Sequence, residues 1–175
     1  IGTLNYGIYI AEAQGKDTII TSLSTSGGAG CFTVDNGGKI WIGTRGNGIK
    51  IYDPATKDLA TTVSKSENDR TLGKNFVLSL FTDRQGIIWA GLSGGGVSKH
   101  DPLNYQFQNF GNETGNSNSL PDNMVFDIYK AKNERYYIGT QTQGLIEWNG
   151  KQNKFIPFNE SYRFGNISNT IYDIT

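Results

Sequence analysis

The chain has 175 residues and a formal net charge of zero, from 16 basic and 16 acidic side chains. It carries no basic stripe, which argues against a nucleic-acid partner. No apolar run approaches the ~18 residues that a membrane helix requires, so we expect this segment to make no direct membrane contact.

Glycine and aromatic residues dominate the composition, with 23 glycines and 12% aromatic residues. Such a chain favours strands and tight turns over helices. Cys31 is the single cysteine and His100 the single histidine, a pair that argues against an intrachain disulfide and against a zinc site. We therefore expect no metal and no cofactor.

Two series of glycines recur along the chain in one register, which indicates internal repeats. The first series is Gly2, Gly43, Gly91 and Gly139, and the second is Gly7, Gly48, Gly96 and Gly144. Successive members of each series are 41, 48 and 48 residues apart. We expect the first glycine to allow close approach of a neighbouring unit, and the second to adopt the positive φ that a tight turn requires.

Each repeat predicts a meander of four short strands. Inner strands are expected at residues 30–34, 75–81, 123–129 and 169–174. A second strand then carries an aromatic ring (Trp41, Trp89 or Tyr137), and a third ends near Tyr52, His100 or Trp148. Weaker fourth strands follow at 59–63 and 106–110. Short strands separated by turns, in a unit of about 48 residues, are typical of a propeller blade.

The sequence therefore predicts an all-β fold, a β-propeller with four repeat units of about four antiparallel strands each, as part of a larger ring. The units span approximately residues 1–35, 36–83, 84–131 and 132–175. We expect the rings of the second strands to anchor neighbouring units. Asp35 and Asp83 should form turns, Cys31 should be a small buried hydrophobe, and His100 should pack or face solvent.

Several motifs resemble the two-component regulator propeller repeat. They are Trp41-Ile42-Gly43-Thr44, Gly48-Ile49, Tyr52-Asp53-Pro54 and residues 119–125. That family makes up the periplasmic sensor region of bacterial hybrid two-component systems, which are membrane receptors of gut Bacteroidetes that sense oligosaccharides. The resemblance covers nearly the whole chain and is strongest in residues 39–145. It implies a periplasmic portion of an inner-membrane receptor, within a parent protein that is a histidine kinase active in signal transduction.

The function implied by this resemblance is ligand sensing without catalysis, with an oligosaccharide as the expected ligand. The expected partners are the other propeller units of the parent chain and, as a further option, a second copy in a homodimer. In a propeller, the turn between the second and third strands and the start of the inner strand lie on one face. The candidate rim on that face comprises Asn5, Tyr6, Arg45, Asn47, Ser93, Gln141, Gln143, Asn75, Asn123 and Asn169.

The chemistry of these side chains suits a neutral or weakly anionic sugar, because amides bind hydroxyl groups and rings stack on sugar faces. The competing interpretation is that asparagine and glutamine in turns bond to their own backbone. Two other functions stay open. One is a protein-interaction scaffold that uses the same face, and the other is a propeller lyase, which would need a catalytic cluster around His100.

Overall fold

The computed structural model describes residues 7–24, 27–65, 70–103, 106–132, 135–150, 152, 154–158 and 169–174. Its regular elements are fourteen strands. In chain order they are β1 (Ile8–Gln14), β2 (Asp17–Ser24), β3 (Ala29–Val34), β4 (Ile40–Thr44), β5 (Ile49–Tyr52), β6 (Leu59–Thr62), β7 (Val77–Thr82), β8 (Ile88–Leu92), β9 (Gly96–Asp101), β10 (Gln106–Phe110), β11 (Val125–Lys130), β12 (Tyr136–Thr140), β13 (Leu145–Asn149) and β14 (Lys154–Pro157). No helix among the described residues has the length and apolar character needed to cross a membrane.

The strands form antiparallel sheets in simple meander order. The first sheet holds β1 and β2, the second β3 to β6, the third β7 to β10, and the fourth β11 to β14. The last three sheets are the four-stranded blades that the sequence predicts, and the weaker fourth strands are present as β6 and β10. The all-β, propeller-like prediction is confirmed. Each four-stranded sheet takes its inner strand from the end of one predicted unit and its other strands from the next.

The sheets pack face to face in chain order, with the inner strands β3, β7 and β11 next to one another. Each interface has its own apolar core. Ile8 and Ile42 lie between the first and second sheets, Trp41 and Ile88 between the second and third, and Trp89 and Ile146 between the third and fourth. The inner strand of each four-stranded sheet also carries one bulge, next to Gly30, Leu78 and Phe126.

The first glycine series lies where neighbouring sheets touch. A Cβ at Gly43 would stand 2.8 Å from Val77 Cγ1 of the next inner strand, and a Cβ at Gly91 would stand 2.8 Å from Val125 Cγ1. At Gly139 the corresponding contact is 3.0 Å from Ile171 Cγ2. The close approach predicted for this series is therefore confirmed at all three described positions.

Gly91→Ala is expected to lower the free energy of unfolding by about 1–3 kcal/mol, because the added methyl group overpacks the interface between the third and fourth sheets. Besides Val125 Cγ1, it would meet the Val125 carbonyl oxygen at 3.0 Å and the Ser79 hydroxyl. The measurement is chemical denaturation of the two proteins.

Gly30→Ala is the matched control, since Gly30 also lies in a strand. Its added Cβ would stand 3.7 Å from the nearest atom, an ordinary contact, and its φ is not positive. We expect no loss of stability there. If both variants lose the same free energy of unfolding, the close contact with the fourth sheet is not the reason that position 91 requires glycine.

The rings of the second strands face the following sheet. Trp41 is buried and its ring centroid lies 5.0 Å from that of His100. Trp89 is 3% exposed and contacts Tyr136 at 4.6 Å and Trp148 at 5.1 Å between centroids. The anchoring role is confirmed for these two tryptophans. Tyr137 is only half-buried, because the side of the fourth sheet that it faces is covered by fewer of the described residues.

The run at residues 169–174, predicted as an inner strand, is not a regular strand in the structure. It nevertheless lies against the fourth sheet where the next inner strand would stand. Gly144 donates its backbone N–H to the carbonyl of Asn169 (2.8 Å), as Gly96 does to Asn123 one sheet earlier (2.8 Å). Ile174 N also donates to Asp127 Oδ2 of β11 at 2.9 Å. The run therefore repeats the contacts that β7 and β11 make with their preceding sheets.

Candidate functional site

The turns after β4, β8 and β12 all lie at one end of the sheets. Within each sheet, the residue that follows the second strand donates its N–H to a carbonyl just before the inner strand. The three bonds are Arg45 to Gly28, Ser93 to Phe76 and Gln141 to Met124, at 3.0–3.1 Å. We call this end of the sheets the rim. It brings together the predicted site residues that the structure describes, whereas Asn5 and Tyr6 lie outside the described residues.

Five of the predicted side chains in the rim turns have no hydrogen-bond partner among the described residues. Arg45, Asn47, Gln141 and Gln143 are exposed and Ser93 is half-buried. Their side chains form no hydrogen bond or ion pair with any other described residue. The backbone around them is nevertheless well held, since Asn47 N donates to Thr44 Oγ1 (3.0 Å) and Gln143 N to Thr140 Oγ1 (3.2 Å). The rim is thus an ordered frame that presents unbonded polar groups to solvent.

The three asparagines at the start of the inner strands also join neighbouring parts of the fold. The Asn75 carbonyl accepts the N–H groups of Gly46 (3.1 Å) and Gly48 (2.9 Å). Its side-chain Oδ1 accepts the N–H of Ser64 at 2.6 Å, and Asn123 Oδ1 accepts the N–H of Asn112 at 2.7 Å. Asn75 and Asn123 therefore use their amide oxygens to hold the loop that follows the fourth strand.

The second glycine series supplies the turns in these contacts. Gly48, Gly96 and Gly144 have φ values of 72°, 67° and 69°, and Gly7 has 97°. This is the left-handed conformation that glycine adopts at little cost. The positive φ predicted for the series is confirmed at every member, and the N–H groups of Gly48, Gly96 and Gly144 donate to the asparagine carbonyls of the next inner strand.

Phe76 is an exposed ring on the rim that the sequence analysis missed. Its side chain is 36% exposed, and its backbone forms a β-bridge with Arg45. The equivalent positions in the other inner strands hold Gly28, Met124 and Thr170. No repeated residue type therefore marked this position in the sequence.

The two aspartates before the tryptophan strands form structural turns, as predicted. Asp35 Oδ1 accepts the N–H groups of Gly37 and Lys39, both at 2.9 Å, and its Oδ2 accepts Trp41 Nε1–H at 2.9 Å. Asp83 repeats this set with Gln85 N (2.9 Å), Ile87 N (3.0 Å) and Trp89 Nε1 (3.3 Å). Each carboxylate thus holds its own turn together and fixes the tryptophan of the strand that follows.

His100 and Cys31 sit in packing positions. The His100 ring lies between Trp41 and Phe107, with centroids at 5.0 and 4.9 Å. Burial lowers the pKa of His100 and raises the pKa of the Cys31 thiol to about 12, so both groups are neutral at pH 7. His100 confirms its predicted packing role. Among the described residues, no three His, Cys, Asp or Glu side chains are placed to hold a metal ion.

No family model matches the chain, and no curated protein matches it in sequence. Among solved structures, it is similar to the extracellular domain of the putative hybrid two component system BT3049 from B. thetaiotaomicron. The TM-score is 0.74 at 18% identity, over 84% of this chain and 20% of that chain. It is also similar to a structural genomics protein of unknown function from Bacteroides thetaiotaomicron, with a TM-score of 0.52 at 13% identity, over 78% of this chain and 38% of that one.

A third match is the extracellular domain of the putative hybrid two component system BT4673 from B. thetaiotaomicron, with a TM-score of 0.42 at 16% identity, over 86% of this chain and 26% of that chain. This chain spans only about a fifth of the BT3049 domain. The likeness to the BT3049 domain establishes a shared repeat fold. That neighbour is the extracellular part of a putative hybrid two component system, which is the class of receptor that the sequence motifs resemble.

Proposed function

We propose that this chain is part of the extracytoplasmic sensor propeller of a hybrid two-component receptor, and that its rim contributes to the binding of an oligosaccharide without catalysing a reaction. The periplasmic location and the histidine kinase of the parent protein belong to the same proposal. The motifs and the fold shared with the BT3049 extracellular domain support the receptor part of it.

One observation carries the binding part of the proposal. At equivalent turns of the second and fourth sheets, the side chains of Arg45, Gln141 and Gln143 are exposed and form no bond with any other described residue. Amide and guanidinium groups bind sugar hydroxyl groups through paired hydrogen bonds. Because the backbone of these turns is fixed by the bonds to Thr44 and Thr140, binding would cost little ordering entropy.

The exposed ring of Phe76 adds the apolar component that sugar recognition uses. Its backbone is paired with that of Arg45, so the Phe76 ring and the Arg45 guanidinium group are attached to neighbouring backbone positions of the rim. A sugar presents one face of C–H groups and a periphery of hydroxyl groups. This pairing of a ring with polar groups supports a saccharide ligand more than a purely apolar one.

The double variant Arg45→Ala/Gln143→Ala in the intact protein is expected to weaken oligosaccharide binding by about tenfold or more, because two direct hydrogen-bonding groups are lost. Calorimetric titration with a panel of oligosaccharides measures the effect. The matched control is Arg84→Ala/Gln108→Ala, which removes the same two residue types from exposed positions away from the rim. Full affinity in the rim variant would rule out this rim as the binding site. Capture of a protein partner without any glycan binding would favour the scaffold alternative.

A further inference from the structure

A second concave surface lies at the end of the sheets opposite the rim. It is a cleft of about 600 Å³ between the third and fourth sheets, a size within the ordinary range of ligand sites. β11 begins at the rim with Val125 and ends at the cleft with Lys130, which fixes the two surfaces at opposite ends of the same strand. The turn residue Gln85 and Asn149 at the end of β13 form other parts of its wall.

Three cationic side chains line this cleft: Lys99, Lys130 and Arg135. Arg135 Nη1 pairs with Glu147 Oε1 at 3.0 Å, and Lys130 Nζ lies 3.8 Å from Asp83 Oδ2. Lys99 Nζ lies 5.6 Å from the centroid of the Trp89 ring and forms no ion pair with another described residue. Arg135 and Lys130 thus each face a carboxylate, whereas Lys99 is a cation of the cleft without an ion-pair partner among the described residues.

The repeat itself does not require these cations. In the corresponding interface between the second and third sheets, Ile51 occupies the cross-strand position next to Trp41 that Lys99 occupies next to Trp89. Thr82 stands at the end of β7 where Lys130 stands at the end of β11, and it bonds to Thr33. Lys99 and Lys130 thus have no cationic counterpart at these positions of the interface between the second and third sheets.

The floor of the cleft includes a buried donor without a partner. Trp148 lines the cleft and is only 7% exposed, yet its indole Nε1–H has no hydrogen-bond acceptor in the described part of the chain. The tryptophans Trp41 and Trp89 both donate to an aspartate. A buried donor left unpaired is costly, and this donor belongs to a residue of the cleft wall.

We propose that this cleft binds an anionic sugar unit, one that bears a carboxylate or a sulfate group. Lys99 is its main charged contact, and the Gln85 amide, whose oxygen accepts Lys130 Nζ at 2.6 Å, would donate its N–H groups to hydroxyl groups. The proposal rests on the oligosaccharide-sensing function proposed above and adds a second subsite with a charge preference. Lys99 is half-buried in the cleft, where a charge interacts with a ligand more strongly than it does in bulk water, so it favours anionic over neutral ligands.

The test is calorimetric titration of the intact protein with three tetrasaccharide probes: maltotetraose, its sulfated derivative and tetragalacturonate. We expect one or both anionic probes to bind more tightly than maltotetraose, with an affinity that falls as salt is raised. Comparing the affinities of the sulfated probe and tetragalacturonate identifies which anionic group the cleft prefers. Lys99→Gln should weaken anionic binding by about tenfold or more. Glu147→Gln should strengthen it, because Arg135 is released from its carboxylate.

Lys16→Gln is the matched control, since it removes the same charge from an exposed turn between β1 and β2. If Lys16→Gln weakens binding as much as Lys99→Gln, the anionic probes respond to overall charge and the cleft is overturned as a site. If maltotetraose binds as tightly as the anionic probes and Lys99→Gln has no effect, the cleft is overturned while the oligosaccharide-sensing function stands. If none of a broad saccharide panel binds, the proposed function itself fails, and the cleft proposal fails with it.

Discussion

Trp89→Ala is expected to lower the free energy of unfolding by about 3–5 kcal/mol, the range observed when a large buried ring is truncated. Trp89 is 3% exposed and its ring contacts both Tyr136 and Trp148 across the interface between the third and fourth sheets. For a chain of this size the loss corresponds to a fall of about 6–20 °C in melting temperature. Thermal and chemical denaturation of the intact protein provide the measurement.

Tyr137→Ala is the control for Trp89→Ala. Both residues occupy the same position of the repeat, but Tyr137 is only half-buried, so its truncation should cost clearly less. If Trp89→Ala melts at the same temperature as the unaltered protein, the Trp89 ring does not stabilise the core. If both variants lose the same free energy of unfolding, the burial of the ring does not determine how much it contributes to stability.

Asp83→Ala is expected to be as damaging as Trp89→Ala, at about 3–5 kcal/mol, because it breaks a buried ion pair by removing one partner. The Asp83 side chain is fully buried, and the Lys130 ammonium 3.8 Å away belongs to a side chain only 5% exposed. The carboxylate also accepts the Tyr136 hydroxyl at 2.8 Å from the neighbouring sheet. Its loss therefore takes the carboxylate away from the buried Lys130 ammonium and removes the acceptor of the Tyr136 hydroxyl and of the Trp89 indole N–H. Urea denaturation would measure the loss.

Asp35→Ala measures the contribution of the turn bonds to stability without that of the contacts between sheets. Asp35 makes the same turn bonds and the same indole bond as Asp83, but it is only half-buried. Among the described residues it has neither a lysine nor a tyrosine partner in the next sheet. We expect its replacement to cost about 1–2 kcal/mol, as for the loss of a local cap. A cost at Asp83 no greater than that at Asp35 would contradict the assigned role of the buried pair with Lys130.

The repeat architecture could be predicted because local chemistry dictates it. Glycine at positions 48, 96 and 144 is the residue that tolerates the positive φ found there, and glycine at 43, 91 and 139 lies where a neighbour leaves no room for a Cβ. Such backbone requirements appear directly in sequence. The unequal burial of Trp89 and Tyr137 could not be predicted, since it depends on what packs against the outer face of each sheet.

The rim was only partly predictable. Propeller geometry correctly brought the turns of three sheets to one end, but the sequence could not distinguish side chains that face solvent from those that bond to the protein. The Oδ1 atoms of Asn75 and Asn123 accept the backbone N–H groups of Ser64 and Asn112, each eleven residues earlier in the chain. The cleft opposite the rim was missed entirely, because Lys99 and Lys130 come from different sheets and have no fixed spacing in sequence.

The contacts between successive sheets have a consequence for how such proteins evolve. A hydrogen bond from a glycine N–H to the carbonyl of the asparagine before the next inner strand joins each sheet to its neighbour. It links the second sheet to the start of β7, the third to the start of β11 and the fourth to the run at 169–174. Because the third and fourth sheets each offer the same donor on one side and the same acceptor on the other, a unit of this kind can be duplicated or lost while both of its neighbours keep their bonding partners. Gene duplication can thus change the number of blades without inventing a new interface, and side chains such as Lys99 remain free to diversify between copies.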